Sequence, residues 1–276
     1  MLRQRLLVTV ILLPIGIAAI MLGGWLYAAI VALILGRAAW EYASLFTVGG
    51  GRPSEFMLVG GVLAILTARF TSGFASDGWL LVLLILLAML VHLIAYERGR
   101  SQAGTDFAAT LSGIFYIGLL GSYMILLRQL PNGQWWLLLS LVAVWVADTA
   151  AYFIGTAYGK RRLAPRLSPK KSWEGYLSGV FFGILLTPLF LFLFQRLGLP
   201  SDPAFSLTNA SILGLVLGVL PTFGDLGESM IKRQMKVKDA SQLLPGHGGV
   251  LDRIDSWLWA LPIAYYLIQF GFLITN

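Results

Sequence analysis

The sequence predicts an all-α, polytopic integral membrane protein of about nine transmembrane helices, with its N-terminus in and its C-terminus out. Three observations predict it. Of 276 residues, 58% are hydrophobic and only 12% charged, where soluble globular chains carry roughly 45–50% and about 25%. Apolar segments of 17–23 residues recur along the whole length, which is the length a helix needs to cross a hydrocarbon core. When the spans are laid out in order, 16 of the 20 Lys and Arg residues fall on one side, as the positive-inside rule expects.

The expected spans are residues 6–22, 25–46, 56–70, 78–96, 106–128, 134–156, 175–197, 207–228 and 256–274. The first opens on "MLRQRLLVTVILLPIGIAAIML", whose charged start and apolar core resemble a signal peptide. No small-residue cleavage site leads from it into a soluble domain, so it is read as a span. Residues 6–36 are nearly continuous, and one helix of that length would measure about 46 Å, too long for one crossing. Gly23-Gly24 is the natural break. The third span is short and polar-tipped; the fourth to seventh are long and end at charged or Pro/Gly-rich stretches. The eighth runs into "FGDLGESMIKR", and the ninth is introduced by "LDRIDS". No short repeat is visible and no linker separates a second domain. The chain divides into N-terminal transmembrane helices, residues 1–130, and a C-terminal catalytic transmembrane region, residues 131–276.

Only Arg69, Arg128 and Arg196 lie at outer ends, and Arg37 lies within a span. The net charge of +7 is therefore an inner-face feature, suited to anionic headgroups or phosphorylated small substrates rather than nucleic acid. The absence of cysteine excludes disulfides, thiolate metal sites and a cysteine nucleophile. Polarity concentrates in two inner loops, 157–174 and 232–255, and the chemistry is expected there.

In the second loop, Asp225 and Glu228 share a helical face, as do Asp225 and Ser229. Asp252 and Asp255 repeat the spacing at the start of the ninth span. Spans eight and nine are joined by one loop, so their ends are expected to bring three or four carboxylates together. Converging carboxylates repel unless a cation sits among them, and all-oxygen ligands suit Mg²⁺. Ion pairing with Lys232, Arg233 and Arg253 is the plainer alternative. Between the helices, "LPGHGGVLDR" reads as a tight turn whose amides could line an anion site. There His247 contacts a phosphate or only caps the turn. In the first loop, Asp148 is an intramembrane carboxylate, a functional candidate unless it is a satisfied structural group. "SPKKSWEG" supplies Ser168, Lys170 and Lys171 at a helix start that Ser172 is placed to cap. Basic loops and clustered carboxylates on one face suggest phosphoryl or nucleotidyl transfer.

The stretch "SMIKRQMKVKDASQLLPGHGGVLDRIDS", residues 229–256, resembles the signature of the phosphatidate cytidylyltransferases (CDP-diacylglycerol synthases). Ser229, Lys232, Arg233, Lys238, Asp239, Pro245, Gly246, His247, Gly248, Gly249, Asp252, Arg253 and Asp255 all fit it without a gap. "ADTAAYFIG…YGK" and "SPKKSWEG" are similar to the family's upstream segments, so the resemblance covers roughly residues 140–260. It implies a multi-pass enzyme of the bacterial cytoplasmic (inner) membrane that converts CTP and phosphatidic acid to CDP-diacylglycerol and pyrophosphate. It further implies a catalytic Mg²⁺ on Asp225 and Asp252, K⁺ as a companion ion, and a homodimer. On that reading Asp225, Asp252, Asp255 and Lys232 are catalytic, with Asp148 and Asp255 as further metal ligands. Ser168, Lys170, Lys171, Ser229, Arg233, Lys238, His247 and Arg253 bind substrate phosphates. Two other readings stay open: a CTP-using lipid kinase, and an ion-coupled transporter in which Asp148 and Glu41 form a relay. Phosphatidic acid cannot readily leave the bilayer, so its headgroup is expected to enter sideways, at a cavity bounded by spans six, eight and nine.

Overall fold

A computed structural model of the chain describes residues 2–243 and 248–273. It is helical nearly throughout. α1 is Leu2–Leu22, α2 Gly24–Val48, α3 Glu55–Ser72 and α4 Asp77–Glu97. α5, Ala103–Gly113, continues through a π-helical segment, Ile114–Leu119, toward α6, Tyr123–Gln129. α7 is Gly133–Tyr158, α8 Trp173–Arg196, α9 Leu207–Val219 and α10 Thr222–Gln234. α11, Leu251–Tyr266, ends in a second π segment, Leu267–Phe272.

Seven helical stretches among the described residues are long and apolar enough to cross a membrane, with α5–α6 and α9–α10 each taken as one. α1 and α11 occupy the places of the first and ninth spans. The break between α1 and α2 falls at Gly23-Gly24, both with positive φ, a conformation that costs glycine least. The protein is an all-α, multi-pass membrane protein.

Three details differ from the sequence reading. The third span is a full 18-residue helix, capped by the Ser54 hydroxyl, which accepts from the Met57 amide. The eighth span is broken: α9 ends at Val219, and α10 begins after Pro221 as a separate, polar helix. Proline offers no N–H to continue the ladder and is at ease at the start of the next helix. The first polar loop is not irregular. Its residues pair as an antiparallel hairpin of β1 (Arg162–Ala164) and β2 (Ser168–Ser172). The hairpin's base is closed by Glu174, whose carboxylate accepts from the Lys160 and Arg161 amides.

The chain folds as two compact units. The first comprises Met1–Leu126 and Ile231–Ile254. In it α2 packs on α3, α3 on the first π segment and α4 on α5. The polar segment 231–254 thus belongs with the N-terminal helices. The second comprises Leu127–Met230 and Asp255–Asn276. There α8 packs between α7 and α9, and α7 also meets α9. α7 and α8 approach closely: a Cβ on Gly179 would stand 2.7 Å from the Ala147 carbonyl oxygen.

Candidate active site

In the second unit, the site is built where the hairpin meets the start of α10. β2 ends at Ser172, whose hydroxyl caps α8 by accepting from the Gly175 amide at 3.2 Å. That cap fixes the direction of Lys171, one residue earlier. The Lys171 ammonium lies 2.6 Å from Asp225 Oδ2, and Ser229 Oγ donates to Asp225 Oδ1 at 3.3 Å. Both sit on the first turns of α10, four residues apart, as the helical spacing requires. Asp148 of α7 interacts electrostatically with both members of the Lys171–Asp225 pair. Spans six, eight and nine are mutual neighbours in this unit. The Trp145 and Trp257 rings lie 6.1 Å apart, and a Cβ on Gly224 would stand 2.6 Å from the Asp255 carbonyl oxygen.

Asp255 is buried and accepts from the Ser256 amide at 2.6 Å through Oδ1. Glu228 is fully buried. Ser168 is half-buried and Lys170 exposed on β2.

In the first unit, the centre is Asp252. Lys232 Nζ lies 2.6 Å from Asp252 Oδ1, with only 11% and 6% of the two side chains exposed. Asp252 Oδ2 accepts from the Ala240 amide at 2.9 Å and the Gly249 amide at 2.7 Å. Burial works against its charge, but the Lys232 ammonium and the two amides outweigh that and hold the carboxyl below the usual carboxylate range. One carboxylate therefore ties both flanks of the segment 240–249 together. Gly248 takes φ +82°. Arg233, Lys238 and Arg253 are exposed; Arg233 reaches the Val237 carbonyl at 3.4 Å. His247 lies outside the described residues.

One residue of this centre escaped the sequence reading in its actual role. Glu41 of α2 is fully buried. Its carboxylate accepts from Ser241 Oγ at 2.7 Å and the Leu251 amide at 2.8 Å, and it pairs with Arg37 Nε at 3.2 Å. The only sequence signal was an acid and a base four residues apart inside an apolar span.

Among the described residues, no three His, Asp or Glu side chains are gathered as a ready ligand set. What the structure presents is alternation, an aspartate carboxylate facing a lysine ammonium at 2.6 Å, once in each unit. The donor chemistry fits a hard divalent cation: hard oxygen ligands, each already turned toward positive charge. It fits phosphate equally, since the lysines are placed to exchange a carboxylate for a more highly charged anion.

Comparison with known proteins agrees with this chemistry. The sequence model of the Cytidylyltransferase family matches residues 3–271. A Phosphatidate cytidylyltransferase of Synechocystis is 33% identical over 96% of both chains. One from Pseudomonas aeruginosa is 34% identical over 95% of both. A third, from Bacillus subtilis, is 39% identical over 58% of this chain and 56% of its own. With a family match over nearly its whole length and a lysine–aspartate pair inside the signature stretch, the chain belongs to the cytidylyltransferase family.

Proposed function

We propose that the protein transfers the cytidylyl group of CTP to phosphatidic acid, giving CDP-diacylglycerol and pyrophosphate for phospholipid synthesis. The reading puts it in the bacterial cytoplasmic membrane with the polar segments on the inner face, acting as a homodimer. The observation that carries it is the repeated lysine–aspartate contact, Lys171 with Asp225 and Lys232 with Asp252, the second pair within the signature stretch.

In this reaction a phosphate oxygen of phosphatidic acid attacks the α-phosphorus of CTP. The new P–O bond forms as the α–β bridge breaks and its electron pair leaves with pyrophosphate. The nucleophile is already anionic and needs no strong base. The barrier is electrostatic, because two anions must meet, so preorganised cations should dominate catalysis. Lys171 and Lys232 supply fixed positive charge, the helix N-terminus that Ser172 caps favours anions, and Ser168, Lys170, Ser229, Arg233, Lys238, His247 and Arg253 add phosphate donors. Asp225 and Asp252 are the residues assigned to Mg²⁺ on this reading, with Asp148 and Asp255 as further candidate ligands and K⁺ as a companion ion. When bound, Mg²⁺ would neutralise phosphate charge and orient the triphosphate. The lipid headgroup arrives laterally, beside spans six, eight and nine.

The test is purified protein with radiolabelled CTP, phosphatidic acid and Mg²⁺. The expected product is a chloroform-soluble lipid carrying the cytidine label. Label that stays in water as CDP, with a phosphorylated lipid alcohol as product, would overturn the reading in favour of a CTP-using kinase.

A further inference from the structure

We infer that Glu41 is a positioning residue for cytidylyl transfer, fixing from the N-terminal helices the backbone at Ser241 and Leu251 that flanks Asp252. The inference rests on the function proposed above, and on contacts made wholly within the first unit. Glu41 sits about two turns before the end of α2, on a helix that spans the membrane. A carboxylate there must be compensated. Its compensation is specific: Arg37 on one side, and on the other the two flanks of the signature turn, 200 and 210 residues away in sequence.

The two carboxylates divide the work. Asp252 takes the amides of Ala240 and Gly249, and Glu41 takes the hydroxyl of Ser241 and the amide of Leu251. Each therefore ties residues 240–241 to residues 249–251. Ser241 in turn accepts from the Leu243 amide at 3.2 Å, carrying the anchor into the turn itself. The fit is tight enough to exclude a side chain at the contact. A Cβ on Gly249 would stand 2.5 Å from Glu41 Oε2 and 2.9 Å from its Cδ. Removing the acid frees Asp252 to shift with its turn, and a displacement of about 1 Å at a reacting group can lower turnover on the order of a hundredfold.

Glutamine at this position keeps the shape but turns one acceptor into a donor. It can satisfy the Leu251 amide with its oxygen only by directing its NH₂ at Ser241 and Arg37. The experiment uses the full chain in nanodiscs and reads two quantities for Glu41→Gln. One is hydrogen exchange of the peptide spanning 248–256; the other is kcat and the CTP KM with phosphatidic acid as acceptor.

Exchange in that peptide is expected to rise about tenfold while α3 and α8 are unchanged. kcat should fall about tenfold to a hundredfold, with the CTP KM moved by less than about threefold. If Glu41→Gln fails to accumulate in the membrane, Ser241→Ala and Gly249→Ala are read the same way. The pair Glu41→Ala and Gly249→Ala supplies a coupling test. With the acid gone the added methyl loses its two closest neighbours and keeps only the Ser241 backbone nitrogen at 3.0 Å, so the double variant should be no slower than Gly249→Ala alone. Wild-type kcat in the single variants, or strictly multiplicative losses in the double, overturns the assignment. If the wild-type chain makes no CDP-diacylglycerol, the proposed function falls, and the exchange arm still decides whether Glu41 holds the turn.

Discussion

Lys171 and Lys170 are adjacent in sequence, yet the structure gives them different work. Lys171 faces Asp225 at 2.6 Å and also acts on Asp148, while Lys170 is exposed on the same strand. Lys171→Ala should therefore lower turnover about a hundredfold, and Lys170→Ala markedly less, since only the first removes a preorganised charge from beside the carboxylates. Reporter fusions should show the same membrane orientation for both, which separates a catalytic effect from a topological one. Asp225→Asn should cost about a thousandfold in turnover without unfolding the protein, through loss of a charged metal ligand. Near-normal turnover at ordinary Mg²⁺ would remove Asp225 from the metal site.

Asp252 carries a pH signature as well. Its carboxyl is held below the usual range in the folded protein, so its contribution to the turn is fully present above the ordinary carboxylate value of about 4 and is lost as pH falls through the folded value. Hydrogen-exchange protection of the Ala240 and Gly249 amides should persist to that ordinary value and collapse below it. In Asp252→Asn it should be low at every pH.

At the scale of elements, the hairpin and the start of α8 act as one piece. Ser172 ends β2, caps α8 and is nearly fully buried. Ser172→Ala should cost about 1 kcal/mol, read as a lower thermal midpoint in detergent. It should also reduce activity, because Lys171 loses the cap that orients it. The broken eighth span has a similar logic. Apolar α9 stops at Val219, Pro221 interrupts the ladder, and polar α10 presents Asp225 from a fresh helix start. A continuous apolar helix would have to carry those carboxylates on its own lipid-facing surface, at considerable cost.

At the scale of the whole molecule, the nine crossings expected from the sequence would put the two termini on opposite sides of the membrane. Among the described residues, seven stretches satisfy length and apolarity by themselves, and α1 and α11, at the places of the first and ninth expected spans, would be the two additional crossings. Reporter fusions after Arg166, in the hairpin, and after Asn276 should report inside and outside respectively. The same side for both would mean that an even number of crossings separates them, and that α11 or another segment fails to cross.

The spans were legible in the sequence because crossing a bilayer is a local demand: a run of apolar residues of sufficient length satisfies it without reference to the rest of the chain. The polar residues of the candidate site were legible for a related reason, since Asp225 and Ser229, or Asp252 and Asp255, stand at helical spacings that can be counted. The hairpin was missed because its strands are three and five residues long and rich in Lys, Arg and Pro, with no alternation to betray them. The interruption of the eighth span was carried by one residue, Pro221, whose apolar neighbours kept the run looking continuous. The place of the polar segment 231–254 was decided only by tertiary structure. Nothing local says that Ser241 and Leu251 will find a buried carboxylate 200 and 210 residues earlier. That pairing follows from packing, which brings Glu41, already beside Arg37, to a hydroxyl and a backbone amide that settle its charge in an apolar surrounding.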